Sequence, residues 1–371
     1  MRTSILFPFL ITCLCGCICC SLQGQVIHFV FTSDVHYGIT RPHFRGADSV
    51  PSSIVNANAV AAINTLATQN FPKDDGLEAG APVRYIDDII VTGDIANREE
   101  ISVQPATVSW QAFLQDYQKG IHTHNSNGQH TGLLLTPGNH DVSNAIGYTK
   151  PMLPLRDAGS MAGMYTMMMG KKINPAVFDF KKDKINYVRT FAGVHLLFIS
   201  IWPDSVNRVW MEKQLAAIND KEPVLIFAHD PPEADPKHFT NPNGSHNINA
   251  TDQFENVLEE TYKSAGKSTD QEQKGWIDFL QKHPNIKAYF HGHSNFNEWY
   301  TYTGPQHTLS LPVFRADSPM KGKYSREDET LLSFDVISIN PVSHTMTVRN
   351  CLWNKDKGKT LQWGKQCTIR L

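Results

Sequence analysis

The stretch Phe31-Thr-Ser-Asp34-Val-His36-Tyr-Gly38 sets the reading of the whole chain. Val26 to Phe31 is a short apolar run, rich in β-branched and aromatic residues, that gives way to turn-forming residues. That is the pattern of a buried strand. Asp34 and His36 stand just past its end. In an extended segment, residues two apart share a side. A carboxylate and an imidazole are therefore expected to face one point, which suits a metal ion. A single Asp-x-His pair fits a solvated turn equally well, so the weight comes from four further runs that end alike. Ile89 to Thr92 leads into Gly93-Asp94-Ile-Ala-Asn97. Leu133 to Thr136 leads into Pro-Gly138-Asn139-His140-Asp141. Val224 to Ala228 leads into His229-Asp-Pro231, and Ile286 to Phe290 into His291-Gly292-His293-Ser-Asn295. In open α/β sheets ligands sit outside the carboxyl ends of strands. Five strand tips carrying metal-capable groups predict one shared site.

In this order the motifs resemble those of the calcineurin-like metallophosphoesterases, and the resemblance runs from Asp34 to Asn295. It implies an α/β fold, a four-layer α-β-β-α sandwich of two mixed sheets flanked by helices, with a dinuclear metal centre at one edge. It also implies ligands. Asp34 and His36 would bind a first metal, Asp94 would bridge both metals, and Asn139, His229 and His293 would bind the second. The family's motif ends in a second histidine on the first metal. Here that position is Asn295, which can ligate through its amide oxygen but is a weaker and harder donor. His291 is a substitute in principle. The Gly292 that precedes His293 sets the register against it, so His291 reads as a packed histidine. His140 resembles the family's general acid for the leaving oxygen, with Asp141 positioned to orient it. Asn97 either supports the Gly-Asp turn or touches phosphate, and stays outside the ligand set.

Carboxylate, imidazole and amide oxygen without thiolate suit Zn, Mn or Fe. The expected cofactors are thus two divalent or trivalent ions. Two such ions about 3.5–4 Å apart hold a bridging water, lower its pKa to give hydroxide near neutrality, and neutralise charge growing on phosphorus. The expected activity is metal-dependent hydrolysis of a small phosphate ester. A phosphodiesterase acting on cyclic nucleotides or lipid phosphodiesters is the rival within that class. A non-catalytic metal-binding protein on the same fold, supported by Asn295 alone, is the rival outside it. Tyr37, His43, His238, Phe296 and Arg315 lie near motif ends or in rim segments, and none has a spacing that names a base, a lipid or a sugar.

The composition allows this and excludes other classes. A chain of 371 residues with 41% hydrophobic content can bury an ample core without staples. A net charge of −2 argues against a broadly basic surface, so no nucleic-acid polymer is expected as a partner. Arg2 precedes an apolar run from Ile5 to Cys20, which is short of the ~20 residues a spanning helix needs. Residues 1–24 read as a secretory signal peptide, leaving one domain over 25–371 and a secreted or periplasmic location. Leu14-Cys-Gly-Cys17 also resembles a lipobox. Cys17 would then carry lipid and supply the membrane attachment.

Five of the seven cysteines lie in the leader. Cys351 and Cys367 remain, and in an exported protein they are expected to pair, the alternative being two separate buried thiols. Asn243-Gly-Ser and Asn249-Ala-Thr are sequons in a long polar stretch. Apolar spacing predicts helices over Val55 to Gln69, Thr107 to Gly120, Val206 to Asn219 and Asp270 to Lys282. The stripe Trp110, Phe113, Leu114 and Tyr117 reads as core. His122, His124 and His130 lie on the approach to a strand, away from its tip, and read as solvated. Met161, Met164, Met167, Met168 and Met169 read as a packed insertion or as a pliable wall beside the site.

Overall fold

Two six-stranded sheets meet face to face through aromatic rings. The computed structural model describes residues 25–97, 104–142, 157–180, 182–235, 238 and 268–371. The leader with Cys17 and the sequons at Asn243 and Asn249 lie outside the described residues. Numbered in chain order, the first sheet runs β14 (Gln362–Arg370), β13 (Thr345–Leu352), β12 (Ser333–Asn340), β1 (Ile27–Thr32), β4 (Asp88–Thr92), β5 (Gly132–Thr136). The second runs β10 (Glu298–Tyr302), β11 (Leu311–Arg315), β9 (Ile286–His291), β8 (Val224–Phe227), β7 (Val194–Phe198), β6 (Tyr187–Phe191). A small hairpin, β2 (Thr40–Phe44) with β3 (Ala47–Pro51), lies apart.

Both sheets are mixed. β1, β4 and β5 are mutually parallel, as are β7, β8 and β9, while β12–β14, β6 and β10 join antiparallel. Parallel neighbours need a crossover, usually helical. α1 (Ser52–Leu66) links β1 to β4, and α2 (Ala106–Phe113) lies between β4 and β5. α3 (Asn139–Val142) and α4 (Gly159–Met169) follow β5. α5 (Ser205–Leu215) links β7 to β8, and α6 (Ser268–Lys282) precedes β9. The expected sandwich of two mixed sheets with flanking helices is the observed one. The parallel runs put the carboxyl ends of β1, β4 and β5, and of β8 and β9, at one edge.

The second sheet carries a row of rings that the sequence pattern did not announce. Tyr187, Phe198, Phe227, Phe290, Phe314 and Trp299 stand one per strand, each opposite its neighbour in register. Neighbouring centroids are 4.6 to 5.7 Å apart. Offset ring pairs add about 0.5–1.5 kcal/mol each beyond the area they bury. Phe31 of β1 sets its edge on Phe290 at 5.4 Å and on Phe227 at 6.2 Å, which ties the two sheets together. Phe227 lies two residues before His229, and Phe290 three before His293, so this layer is the floor beneath the strand tips.

Several local expectations shift. α1 starts three residues before the predicted boundary and ends three before it, at Leu66, where Thr65 and Thr68 hydroxyls bond back to Ala62 and Thr65 carbonyls. The helix predicted to Gly120 is α-helical to Phe113 and widens to a π turn over Leu114–Gln118. That change keeps Trp110, Phe113 and Tyr117 stacked in the core, at 5.4 and 4.9 Å. Met161, Met164 and Met168 are buried, and Met168 Sδ lies 3.2 Å from the Leu135 amide. The methionine cluster is thus a packed element against β5. His122, His124 and His130 are exposed, as expected.

The expected disulfide is overturned, because Cys351 and Cys367 are free. The β13–β14 register sets Cys351 opposite Trp363 and Cys367 opposite Val348. Val348 and Cys351 are three residues apart, roughly 10 Å along a strand, beyond the ~7 Å reach of a disulfide.

Truncating the ring at the centre of the aromatic row should be costly. Phe227→Ala is expected to lower unfolding stability by about 3–5 kcal/mol, the range for an aromatic deleted from a packed core. Urea unfolding monitored by circular dichroism would read this, and a loss below about 1 kcal/mol would show that the row is not a structural layer.

Candidate metal centre

The loops after β1 and β4 are sewn together by backbone bonds. Asp34 N donates to Gly93 O at 3.1 Å, His36 N to Asp94 O at 2.9 Å, and Tyr37 N to Ile95 O at 2.8 Å. Asn56 of α1 donates from Nδ2 to Val35 O at 2.8 Å. The backbone here is not extended. Asp34 and His36 have φ of +56° and +41°, so the two-residue alternation of a strand does not bring them together. They converge because the chain turns through the left-handed region and is pinned to its neighbour. Asp94, His293 and Asn295 also have positive φ, at +51°, +64° and +59°. Each such non-glycine residue costs roughly 1–2 kcal/mol and persists where its surroundings over-determine it.

Two glycines mark where loops touch. A Cβ on Gly138 would overlap the Asp94 carboxylate and amide, and one on Gly292 would overlap Ser33 Oγ and Asp34 Oδ2. The Gly-Asn-His-Asp and Gly-His motifs begin with glycine because another motif occupies the space of a side chain.

The donor atoms form two groups that share Asp94. In the first, His36 Nε2 lies 3.7 Å from Asp34 Oδ1 and 3.6 Å from Asp94 Oδ2. Asp34 Oδ2 accepts from His293 N at 2.9 Å, while Asp34 Oδ1 and both His36 nitrogens are buried without a hydrogen-bond partner. In the second, Asn139 Oδ1 lies 2.9 Å from His229 Nε2 and 3.2 Å from His293 Nδ1, and those nitrogens are 3.3 Å apart. Asp94 Oδ1 lies 3.3 Å from His229 Nε2. His229 Nδ1–H donates to Thr92 O at 2.7 Å, which leaves Nε2 as the donor toward a cation. Buried carboxylate, amide and imidazole donors that converge on one point are what a cation satisfies, so both groups fit a metal ion. Asn295 follows His293 by two residues. Its Nδ2 donates to His293 O at 2.8 Å, and its Oδ1 is buried without a hydrogen-bond partner.

The electrostatics follow from this crowding. Burial opposes ionisation of Asp94, but the charges of His229, His140 and His36 together hold its carboxyl well below the usual range. Burial likewise opposes charge on His229, and Asp94 overrides it, raising the imidazole to about 10. Burial, joined by Lys321, lowers His36. Burial, with Asp94 nearby, pushes Asp141 up to about 7.

His140 Nδ1–H donates to Asn97 O at 2.5 Å, and Nε2 faces Asp94 Oδ2 at 3.9 Å. Asp141 works differently from the expectation that it orients the His140 ring. Its carboxylate accepts from the amides of Ala96 at 2.8 Å, Gly138 at 2.9 Å and Ile95 at 3.2 Å. It therefore locks the third motif's loop onto the second's, and the ring is oriented by the Asn97 carbonyl.

Of the rim residues, Tyr37 is buried with its hydroxyl on Asp116, and His43 is exposed on the small hairpin beside Asp48. Neither borders the centre. Arg315 stacks over Phe296 at 3.6 Å and pairs with Glu298. His291 is buried, donating to Gly292 O at 3.0 Å, as a packed histidine should. His238 is buried against Asp230 at 2.5 Å, and Asp235 lies 3.5 Å from His293 Nε2. Asp230 and Asp235 went unread in the sequence, although Asp230 adjoins the fourth motif. Asp235 faces the Nε2 side of the His293 ring, where a carboxylate fixes a ligating histidine, while Asp230 Oδ1 lies 3.8 Å from Nδ1, on the same side as Asn139 and His229. Lys321 also went unread. Its Nζ lies 3.2 Å from His140 Nε2, and no motif signals it.

This fold and this pair of donor groups define a class. The chain belongs to the calcineurin-like phosphoesterase family, whose model matches residues 27–295. No curated protein matches the sequence. Among solved structures it is similar to a dimetal phosphatase from Danio rerio, at 10% identity and TM-score 0.52, over 93% of this chain and 98% of that one. A phosphopantetheinyl hydrolase from Mycobacterium tuberculosis matches at 12% identity and TM-score 0.33, over 81% and 92% of the two chains. The zinc complex of Vps29 from Entamoeba histolytica matches at 9% identity and TM-score 0.34, over 92% and 99%. The first of these likenesses supports the fold.

A metal added to stripped protein at pH 7 should displace a proton, because His229 is held protonated up to about 10 by Asp94 and must lose that proton to ligate. Asp94→Asn should release fewer protons and bind both ions more weakly. Zinc titration by calorimetry in two buffers of different ionisation enthalpy measures both. Unaltered proton release and affinity in the variant would remove Asp94 from the centre.

Proposed function

We propose that this protein is a metal-dependent hydrolase of small phosphate esters that works through a two-ion centre. The observation that carries the reading is the division of Asp94, with one oxygen 3.3 Å from His229 Nε2 and the other 3.6 Å from His36 Nε2. One carboxylate thus serves two donor groups. On this reading Asp34, His36 and Asn295 would hold the first ion, Asn139, His229 and His293 the second, and Asp94 would serve both. The oxygen and imidazole donors suit Zn, Mn or Fe. When bound, the two ions supply Lewis-acidic seats for phosphate oxygens and a water of lowered pKa.

The chain's own residues do the rest. His140 presents Nε2 toward the centre while Nδ1–H stays bonded to Asn97 O. Nε2 is then the atom that exchanges a proton with the leaving oxygen. Asp141 keeps the His140 loop against the Asp94 loop through the amides of Ile95, Ala96 and Gly138. Asp235 steadies His293 from its Nε2 side, and Asp230, paired with His238, stands beside its Nδ1. Asn295 replaces an imidazole by a neutral amide oxygen, which makes the first ion the more weakly held.

Purified protein should carry about two ions per chain. Chelation should abolish hydrolysis of chromogenic phosphate esters, and restored Zn, Mn or Fe should recover it. A panel of monoesters and diesters separates the two substrate classes. His140→Ala should lower turnover by roughly 10²–10⁴-fold with both ions retained. One ion or none, with no hydrolysis after metals are restored, would favour a non-catalytic metal-binding protein in which Asn295 has disabled the first site.

A further inference from the structure

Lys321 belongs to none of the five strand-tip motifs, and its side chain enters the centre they build. Its Nζ lies 3.2 Å from His140 Nε2. We propose that Lys321 binds a non-bridging oxygen of the substrate's phosphoryl group, on the side of the centre where His140 Nε2 faces Asp94 Oδ2. This rests on the phosphoesterase reading above.

Position is the first argument. His140 Nε2 is 3.9 Å from Asp94 Oδ2, the oxygen that faces His36 and the first ion's donors. A phosphoryl group that offers its leaving oxygen to His140 Nε2 brings its other oxygens within reach of an ammonium that shares that nitrogen. An ammonium has three donors and no acceptor, so when His140 Nε2 carries the proton meant for the leaving oxygen, the Lys321 protons turn away from it and toward phosphate.

Anchoring is the second argument. Ser318 Oγ donates to Asp34 O at 2.7 Å and accepts from Met320 N at 3.2 Å and Lys321 N at 2.9 Å. The buried Arg41 donates from Nη1 to Pro319 O at 2.7 Å and also bonds Ser325 O. Ala316 N donates to His291 O, and Lys323 N to Asn295 O. Lys321 is half-buried on a segment tied at both ends to strand-tip loops. A lysine that only solvates the surface needs no such framework.

Charge is the third argument. The chain is slightly acidic overall, so attraction for a phosphate dianion has to be local. Asn295 offers a neutral amide oxygen and brings no charge of its own to the first ion's side. A cation held beside His140 Nε2 supplies positive charge next to the leaving oxygen's site, and a charge-assisted bond is among the stronger kinds.

The test uses the metal-loaded protein, with inorganic phosphate as the probe. Lys321→Met keeps the apolar stem and removes the charge, and Lys321→Arg keeps the charge. The Met variant should hold as many ions as wild type, bind phosphate roughly 10- to 100-fold more weakly by calorimetry, and show a matching rise in KM. The Arg variant should recover part of the affinity. Phosphate affinity unchanged in the Met variant, with ions retained, would overturn the proposal and leave the phosphoesterase reading intact. Loss of ions in the Met variant would also overturn it, by making Lys321 a support of the metal sites. If wild type loaded with metal neither hydrolyses phosphate esters nor binds phosphate, the broader reading fails, and this one with it, before any variant is made.

Discussion

A single carboxylate, Asp94, is buried to 2% exposure among imidazoles, and the edge of both sheets is arranged around that fact. A carboxylate removed from water costs several kcal/mol unless its charge and lone pairs are met. Asp94 meets His229 and the His140 amide through one oxygen and faces His36 and His140 through the other. These partners come from the tips of β1, β5 and β8. Burying the acid therefore requires that loops from both sheets close on one point. The glycine contacts and the left-handed backbones at Asp34, His36, Asp94, His293 and Asn295 are the local consequences of that closure.

Strain of this kind survives on a stiff base. The base is the row of rings from Tyr187 to Trp299, which crosses every strand of the second sheet directly beneath His229 and His293. Phe31 extends it into the first sheet just before Asp34. The methionines of α4 add to this base by packing on β5, so the chain after His140 is not a soft wall where it is described. Position of the donor atoms is thus inherited from core packing, through only two or three residues of backbone. A site that needs its ligands held close in the absence of substrate is well served by that short lever.

Much of this was legible in the chain itself. Apolar runs ending in Asp, His and Asn announced strands with polar tips, and their order pointed to the fold and to the residues that gather at its edge. The same reading failed wherever the outcome depended on a partner distant in sequence. Asp34 and His36 were expected to align as alternate residues of an extended segment, but the Asp94 loop pins them in another conformation. Asp141 was expected to touch the His140 ring, but three amides from two motifs claim its oxygens. Cys351 and Cys367 were expected to pair, but the register of β13 and β14 keeps them apart. Tyr37 lies inside a motif and is spent on the core.

The sequence by itself determined which residues could gather, because strand periodicity and turn chemistry are local and place every motif at the end of a buried run. Tertiary structure alone decided what each one meets. Lys321 shows the limit most clearly. No pattern marks it, and it reaches His140 because Ser318 hangs its loop from the Asp34 carbonyl, 284 residues away in the chain. The surroundings of His293, built by Asp230, Asp235 and His238, arise in the same way. Hydrogen bonds and charge contacts act over a few ångströms of space and are blind to separation along the chain, so they emerge only after the sheets have brought the loops together.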